Sequence, residues 1–180
     1  MRPTESTRAL PLAFLVVLAL LLAARGATAW WEQKHPAEVY DRVDWRTPAE
    51  AQQISAMHKK AILYDFTADW CGPCQRMKRE VFSDRGTAAQ IGRMFAPARV
   101  LDRQQEEGRN PSDVDSLQKK YEITGFPTLI VVAPGGREVG RVLGYPGSRA
   151  TMDSLMTFYR RATDFRISFP DSAPEPSLGI

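Results

Sequence analysis

The chain has 180 residues, of which 43% are hydrophobic and 25% are charged, with a formal net charge of +3 at pH 7. This composition excludes a disordered or collagen-like chain and predicts one domain with an ordinary hydrophobic core. The weak net charge, without a basic stripe interleaved with aromatic residues, gives no indication of nucleic acid as a partner.

Residues 1–29 have the pattern of an export signal peptide. A basic start precedes an apolar stretch at residues 12–24, and residues 27–29 are a small-residue cleavage site. The apolar stretch is shorter than a typical membrane-spanning helix, which needs about 20 residues. Cleavage is therefore expected, with an uncleaved anchor at residues 9–24 as the alternative. A cleaved chain would carry a net charge of +1, because the signal holds three arginines and one glutamate.

Residues 30–42 form a lead-in of mixed character before the domain. Val43 and Trp45 alternate with polar neighbours, which predicts a short first strand. Thr47-Pro48-Ala49-Glu50 is a capping box with proline at the first helical position. The helix that it opens is predicted to bury one apolar face, made of Ala51, Ile54, Met57 and Ala61.

The most informative stretch follows this helix. The apolar run at residues 61–64 predicts a buried strand, and Asp65 comes directly after it. Cys71 and Cys74, the only two cysteines of the chain, lie where the strand gives way to a helix. Unpaired N–H groups and the positive end of the helix dipole stabilise an anion there. A thiol in this position is a usable nucleophile, so the pair is predicted to be a catalytic dithiol.

Two other uses of the cysteine pair are open. A structural disulfide across two residues would close a very short loop and would remove little entropy from the unfolded chain. A metal site needs further ligands, and neither His35 nor His58 stands in a paired arrangement. No metal site is therefore predicted, and a non-catalytic Cu(I) carrier or metalloprotein assembly factor that uses Cys71 and Cys74 is the alternative function.

The rest of the chain predicts helices and strands up to a polar tail. Ser83 is expected to cap a helix with Ala88, Ile91 and Phe95 on its buried face. The further elements are a strand at 96–101, a surface loop at 103–111, a helix capped by Ser112, a strand hairpin at 128–143 and a last helix from Ser148. The pattern predicts an α/β domain at residues 43–163, with a mixed central sheet and helices on both faces, and a flexible tail at 164–180.

Three features in chain order resemble the thioredoxin family. Trp70-Cys71-Gly72-Pro73-Cys74 is similar to the active-site motif of that family, and Asp65 lies where the family places a buried acid. Gly125-Phe126-Pro127-Thr128 resembles the segment that carries a cis-proline opposite the dithiol. The resemblance covers about residues 43–161 and implies the thioredoxin fold.

The resemblance implies a thiol–disulfide oxidoreductase. Cys71, expected to be the more exposed thiol, would attack a substrate disulfide, and Cys74 would resolve the mixed disulfide. Asp65 would exchange a proton with Cys74. The bond before Pro127 is expected to be cis. The candidate substrate contacts are Trp70, Gly72, Pro73, Phe126 and Pro127.

The match departs from ordinary thioredoxins at two places. Arg79 stands where they have a proline that kinks the active-site helix, so a straighter helix is expected. The lysine that accompanies the buried acid in many members has no clear counterpart, and Arg99 is the candidate to replace it. The helix end after Cys74 is similar to that of exported and membrane-tethered disulfide reductases.

The expected partners follow from the motif and the signal. A Gly-Pro pair between the cysteines goes with reducing members of the family, so disulfide-containing proteins are the expected substrates. An exported reductant works in an oxidising compartment, here expected to be a bacterial periplasm, and needs an electron donor, expected to be a membrane protein. No cofactor besides the dithiol is expected, and the protein is expected to be a monomer.

Overall fold

The computed structural model describes residues 12–34 and 40–168, and the chain divides into two units after residue 38. The first unit contains helix α1, Leu12–Lys34. Its stretch Ala13–Trp30 has a mean hydropathy of 1.9 and exposed side chains, and it is long and apolar enough to cross a membrane. A signal sequence meets the same criteria.

Helix α1 runs further than the sequence indicated. It includes residues 30–34, which were assigned to the lead-in, and the predicted cleavage site at residues 27–29 lies within it. Residues 1–11 and 35–39 lie outside the described residues. Cleavage therefore stays a prediction.

A four-stranded mixed sheet is the centre of the second unit. Its strands are β1 (Ala61–Ala68), β2 (Phe95–Asp102), β3 (Thr128–Val132) and β4 (Glu138–Leu143), in the spatial order β2-β1-β3-β4. Strand β1 is parallel to β2 and antiparallel to β3, and β3 and β4 form an antiparallel hairpin. The central β1 is buried on both faces, as its apolar sequence predicted.

Helices cover both faces of the sheet, as predicted. One core cluster contains Leu63 of β1 and side chains from α4 (Arg85–Met94) and α7 (Ser148–Ser168). The other contains Ile62 and Tyr64 of β1 and side chains from α2 (Pro48–His58) and α6 (Ser112–Lys120). Because successive strand residues point to opposite faces, Asp65 lies on the Leu63 side, the side of the active-site helix.

The predicted first strand at Val43 and Trp45 does not form. The Asp41 carboxylate accepts hydrogen bonds from the Val43 N–H and the Trp45 indole N–H, which folds this segment into a turn. Only Arg46 reaches the sheet, through an isolated bridge to Ala98.

The first helix of the domain confirms its capping box and corrects its buried face. The Thr47 hydroxyl accepts a hydrogen bond from the Glu50 N–H, and the Glu50 carboxylate accepts one from the Thr47 N–H. The helix ends at His58, because Lys59 takes a left-handed conformation with φ 52°. Met57 is therefore exposed and Ala61 belongs to β1, while Ala51 and Ser55 are buried.

The active-site helix changes its winding around Arg79, and the expectation of a straighter helix than in ordinary thioredoxins stays a prediction. Helix α3 (Gly72–Met77) continues as a π-helical turn at Lys78–Phe82, in which the Ser83 N–H donates to the Lys78 carbonyl at 2.9 Å. The wider turn lets two consecutive side chains, Val81 and Phe82, both reach the core.

Several element ends differ from the prediction. Asp84 rather than Ser83 caps α4, and Phe95 begins β2. Pro111 rather than Ser112 is the N-cap of α6. The 103–111 loop contains a one-turn helix α5, Gln104–Glu107. Helix α7 continues through residues 164–168, which were assigned to the tail, and residues 169–180 lie outside the described residues.

Candidate active site

The two cysteines lie at the junction of β1 and α3 and form a disulfide. Their Cα atoms are 5.2 Å apart. Cys71 is the N-cap of α3, and its Sγ accepts a hydrogen bond from the Cys74 N–H at 3.2 Å. The helix therefore begins at the cysteine to which the sequence assigns the attack, three residues after the end of β1.

Exposure does not distinguish the two cysteines in the disulfide form. Cys71 is 3% exposed and Cys74 is 4% exposed, so the expectation that Cys71 is the more exposed residue is wrong for this state. The reason is a small apolar cluster, in which Ala68 and Phe126 pack against both residues. The asymmetry is instead one of position, because only Cys74 lies inside the helix.

An aromatic rim surrounds the disulfide. Trp70 is 49% exposed and meets the partly buried Phe126 edge to face, with ring centroids 6.1 Å apart. The Phe126–Pro127 peptide bond is cis, as the resemblance implied. Gly72 and Pro73 are exposed at the start of α3. The structure thus brings all five candidate substrate contacts to one end of the sheet, and their contact with substrate stays a prediction.

Asp65 is a buried carboxyl behind the cysteines. Its side chain is 1% exposed, and its Oδ2 accepts from the Arg99 Nε and Nη2 at 3.1 and 3.0 Å. Its Oδ1 has no hydrogen-bond partner among the described residues. Burial raises the pKa of the Asp65 carboxyl to about 6, although the Arg99 guanidinium opposes this effect.

Asp65 and Cys74 line the same cavity. Its volume is about 110 Å³, and Lys78, Asp69 and Arg99 are among the other residues around it. A water molecule occupies roughly 30 Å³ of liquid, so the cavity has room for water between polar groups. Water in this cavity would connect the carboxyl with Cys74, and proton exchange between the two stays a prediction.

Arg99 takes the place of the missing lysine. Arg99 is the register partner of Asp65 across the β1–β2 pair, so a cation at this position of β2 can reach the Asp65 carboxyl. Its guanidinium also binds the Asp41 carboxylate at 2.7 Å and lies over the Trp45 ring, 4.3 Å from the centroid.

Sequence reasoning missed Asp41 as part of this site. No spacing or motif joins Asp41 to β2, because the contact arises only when residues 40–46 fold against the sheet. The chemistry of arginine could have indicated a second acid near Arg99. A guanidinium has five N–H donors, so an arginine paired with one carboxylate has donors left for another.

Among the described residues, no group of three or more His, Cys, Asp or Glu side chains is arranged to hold a metal ion. The cysteine pair of the described chain is oxidised, with no free thiol. The geometry is that of a disulfide beside a buried acid.

A family model described as a thioredoxin-like domain matches residues 47–160. The chain belongs to the thioredoxin-like family. Its fold and its Cys71–Cys74 disulfide are those of a thiol–disulfide oxidoreductase, as predicted from the sequence.

Curated relatives and solved structures agree with this assignment. Over 126 residues the chain is 29% identical to the thiol:disulfide interchange protein DsbD of Actinobacillus pleuropneumoniae serotype 5b (strain L20), covering 64% of this chain and 20% of that protein. The chain spans about a fifth of the length of the curated relatives it matches.

Two solved structures show the same fold. A DsbH oxidoreductase has a TM-score of 0.58 and 21% identity, covering 72% of this chain and 98% of its own. A thioredoxin from Thermus thermophilus has a TM-score of 0.59 and 22% identity, covering 75% of this chain and 99% of its own. The predicted thioredoxin fold is confirmed.

Proposed function

We propose that this protein is an exported thiol–disulfide oxidoreductase that reduces protein disulfides with Cys71 and Cys74. The observation that carries the proposal is a disulfide at a strand–helix junction, beside a buried acid that shares a cavity with the second cysteine. The relatives named thiol:disulfide interchange protein support it. No cofactor besides the dithiol is part of the proposal.

The first step is attack by the Cys71 thiolate on one sulfur of a substrate disulfide. The substrate S–S bond breaks, a mixed disulfide with Cys71 forms, and the leaving substrate thiolate takes a proton from solvent. The helix N-terminus and the Cys74 N–H favour the thiolate at Cys71 over a thiolate at Cys74.

In the second step Cys74 resolves the mixed disulfide. Its thiol gives a proton to the Asp65 carboxylate, and the sulfur attacks Cys71 and releases the second substrate thiolate. Two electrons pass from the dithiol to the substrate, and the Cys71–Cys74 disulfide remains. A dithiol of a membrane protein then returns two electrons to this disulfide.

Substrate binding is proposed at the aromatic rim. Trp70 offers an exposed apolar surface, and Phe126 packs against the disulfide cluster just before the cis-linked Pro127 and the start of β3. Gly72 and Pro73 leave the approach to Cys71 open, because neither has a large side chain. An extended segment of a disulfide-containing protein is the ligand that fits this surface.

The proposed location is a bacterial periplasm, with the chain either released by cleavage or held by residues 9–24. Helix α1 supports export in both cases, since its apolar stretch suits a signal sequence or a membrane span. Fractionation of cells that make the full chain tests this, and recovery from the cytosol would oppose it. The protein is proposed to act as a monomer.

The test of the enzyme is covalent trapping by serine variants. Cys74→Ser should stop after the first step and retain partners through Cys71, whereas Cys71→Ser should trap few, because Cys74 lies inside the helix. Partners are counted on non-reducing gels and released with dithiothreitol. Trapping by neither variant would contradict the enzyme, and equal trapping by both would contradict the assigned roles.

The same variants test the alternative of a Cu(I) carrier. A carrier would lose metal binding equally with either substitution and would trap no partner, because two thiolates share one ion. Wild-type protein would bind one Cu(I) tightly and would fail to reduce insulin disulfides. Reduction of insulin together with asymmetric trapping would reject the carrier.

A further inference from the structure

The buried ion pair at the active site has a third member. Arg99 binds Asp65 through Nε and Nη2 and binds Asp41 through Nη1, at distances from 2.7 to 3.1 Å. One guanidinium thus serves two carboxylates. The Asp41 side chain is only 13% exposed and that of Arg99 25%, so solvent screens these charges weakly.

Asp41 is held in place independently of Arg99. Its Oδ1 accepts the Val43 N–H at 3.1 Å, and its Oδ2 accepts the Trp45 indole N–H at 3.0 Å. The Trp45 ring in turn packs against Arg99 and meets Phe82 edge to face at 4.9 Å. The position of the guanidinium therefore depends on Asp41 and Trp45, which lie outside the β-sheet, as well as on Asp65 of β1.

The sharing has an electrostatic consequence for Asp65. A carboxylate paired one to one with an arginine is strongly favoured in its ionised form. A second carboxylate on the same guanidinium repels the first and offsets part of that attraction. The net charge of the three groups is then −1 when both acids are ionised, which favours a proton on the more buried acid.

We propose that Asp41 is a positioning residue for the thiol chemistry, which shares the Arg99 guanidinium with Asp65 and so keeps the Asp65 carboxyl able to exchange a proton with Cys74. This rests on the proposed function, because it assigns Asp65 the proton transfer. Asp41 is not among the residues that line the cavity between Asp65 and Cys74.

Other charged groups face Asp65 and must be held constant in a test. They are Lys78 of the π-helical turn, Asp69 of the loop before Cys71, and Cys74, all of which line the same cavity. None of them contacts Asp41 in the structure's hydrogen bonds and ion pairs between described residues. A substitution at Asp41 therefore changes the field at Asp65 through Arg99.

The experiment compares two substitutions in the same segment of the full-length, oxidised protein. Asp41→Asn removes the second carboxylate and keeps one acceptor oxygen, whereas Val43 and Trp45 donate to different oxygens of Asp41, so the amide NMR spectrum of D41N checks that its fold is native. Asp44→Asn removes one negative charge from an exposed acid that pairs with Arg46, and it is the matched control. The Asp65 carboxyl carbon is followed by NMR from pH 4 to 8.

The proposal expects the apparent pKa of Asp65 to fall by about one unit in D41N, the lower end of the effect of a neighbouring charge, and to stay unchanged in D44N. A functional readout accompanies it. In reduction of the disulfide by dithiothreitol, protonated Asp65 gives its proton to the leaving Cys74 sulfur. The rate, corrected for the thiolate fraction of the reagent, should decline at a correspondingly lower pH in D41N, with D41E restoring part of the difference.

Each outcome decides the proposal separately from the function. Equal shifts in D41N and D44N, or no shift, would overturn the sharing. A shifted pKa with an unchanged rate profile would overturn the positioning role while trapping by Cys74→Ser still stood. If D41N lost its native spectrum, the test would use the Asp41 carboxyl carbon resonance of the wild-type protein, because two acids that share one cation respond to each other's titration. A step in the Asp41 chemical shift at the pH where Asp65 titrates supports the sharing. The absence of that step overturns it.

Discussion

Asp65 is the residue at which burial and charge oppose each other most directly. Its folded pKa of about 6 lies above its ordinary value of 3.8 because burial disfavours the carboxylate. The folded state therefore binds this proton more tightly than the unfolded chain. The stability that the group contributes is present below pH 3.8 and is lost as the pH rises through 6.

Replacing Asp65 with asparagine should stabilise the oxidised protein above pH 6 and not below pH 4. The gain at pH 7.5 is about 3 kcal/mol at most, from a shift of about two pKa units at about 1.4 kcal/mol each. Urea unfolding at several pH values measures it, with Asp153→Asn as the control at an exposed acid on α7. A gain that did not depend on pH would contradict the burial argument.

Single residues show which parts of the site the sequence could predict. Cys71 and Cys74 lie within a short motif whose spacing determines their geometry, whereas the cis bond before Pro127 was implied only by the resemblance to the thioredoxin family. The equal burial of the cysteines was not predictable, because it depends on Phe126, which is distant in sequence. The contact between Asp41 and Arg99 is likewise a product of tertiary packing.

At the scale of elements, the loop between β2 and α6 is held by one acid. Asp102 at the end of β2 accepts hydrogen bonds from the Gln104 N–H and from the side-chain amides of Asn110 and Gln118. Although burial favours the neutral acid, these donors lower the pKa of Asp102. Asp102 pairs in register with Ala68, so the loop lies at the same end of the sheet as the dithiol.

Asp102→Ala should release this loop and destabilise the domain. Three hydrogen bonds to a charged acceptor are lost, and since Gln104 is exposed and Asn110 and Gln118 are half-buried, water replaces part of them, which leaves an expected loss of roughly 1–3 kcal/mol. Amide hydrogen exchange should quicken at residues 103–111, and chemical unfolding should report the loss of stability. The control is Asp153→Ala, an exposed acid on α7. Unchanged exchange in the loop would show that Asn110 and Gln118 hold it without Asp102.

Elements with strong local signals were predicted and those with tertiary causes were not. The capping box of α2 and the β3–β4 hairpin each depend on a few adjacent residues. The failed first strand depends on hydrogen bonds to Asp41, and the π-helical turn depends on burying both Val81 and Phe82. A search for apolar residues at 3.6 residues per turn assumes a regular α-helix, so it cannot predict where the helix changes to π-helical winding.

For the molecule as a whole, the open quantity is the direction of electron flow. A dithiol becomes a strong oxidant when its reduced form is stabilised. The cavity beside Cys74 is lined by two acids, Asp65 and Asp69, and by two cations, Lys78 and Arg99, so its charge does not set the direction. The expectation of a reducing dithiol rests on Gly72 and Pro73, a pair that the resemblance associates with reducing members of the family.

The reduction potential of the full chain is therefore expected nearer to that of thioredoxin, about −270 mV, than to about −120 mV, the value of a strongly oxidising relative. The difference between the two is about 7 kcal/mol, since 30 mV corresponds to about 1.4 kcal/mol. Equilibration with glutathione buffers measures it, and a double serine variant at Cys71 and Cys74 gives the baseline. A value near the oxidising end would reverse the proposed direction.

The π-helical turn at Lys78–Phe82 also affects how this chain should be aligned with its relatives. A turn closed by a bond from Ser83 to Lys78 contains one more residue than an α-helical turn. An ungapped alignment with a relative that has a regular helix there would place Val81, Phe82 and every later residue one position out of register. A one-residue gap within this turn is the structurally correct choice, and comparisons of residues after it, Arg99 included, depend on that gap.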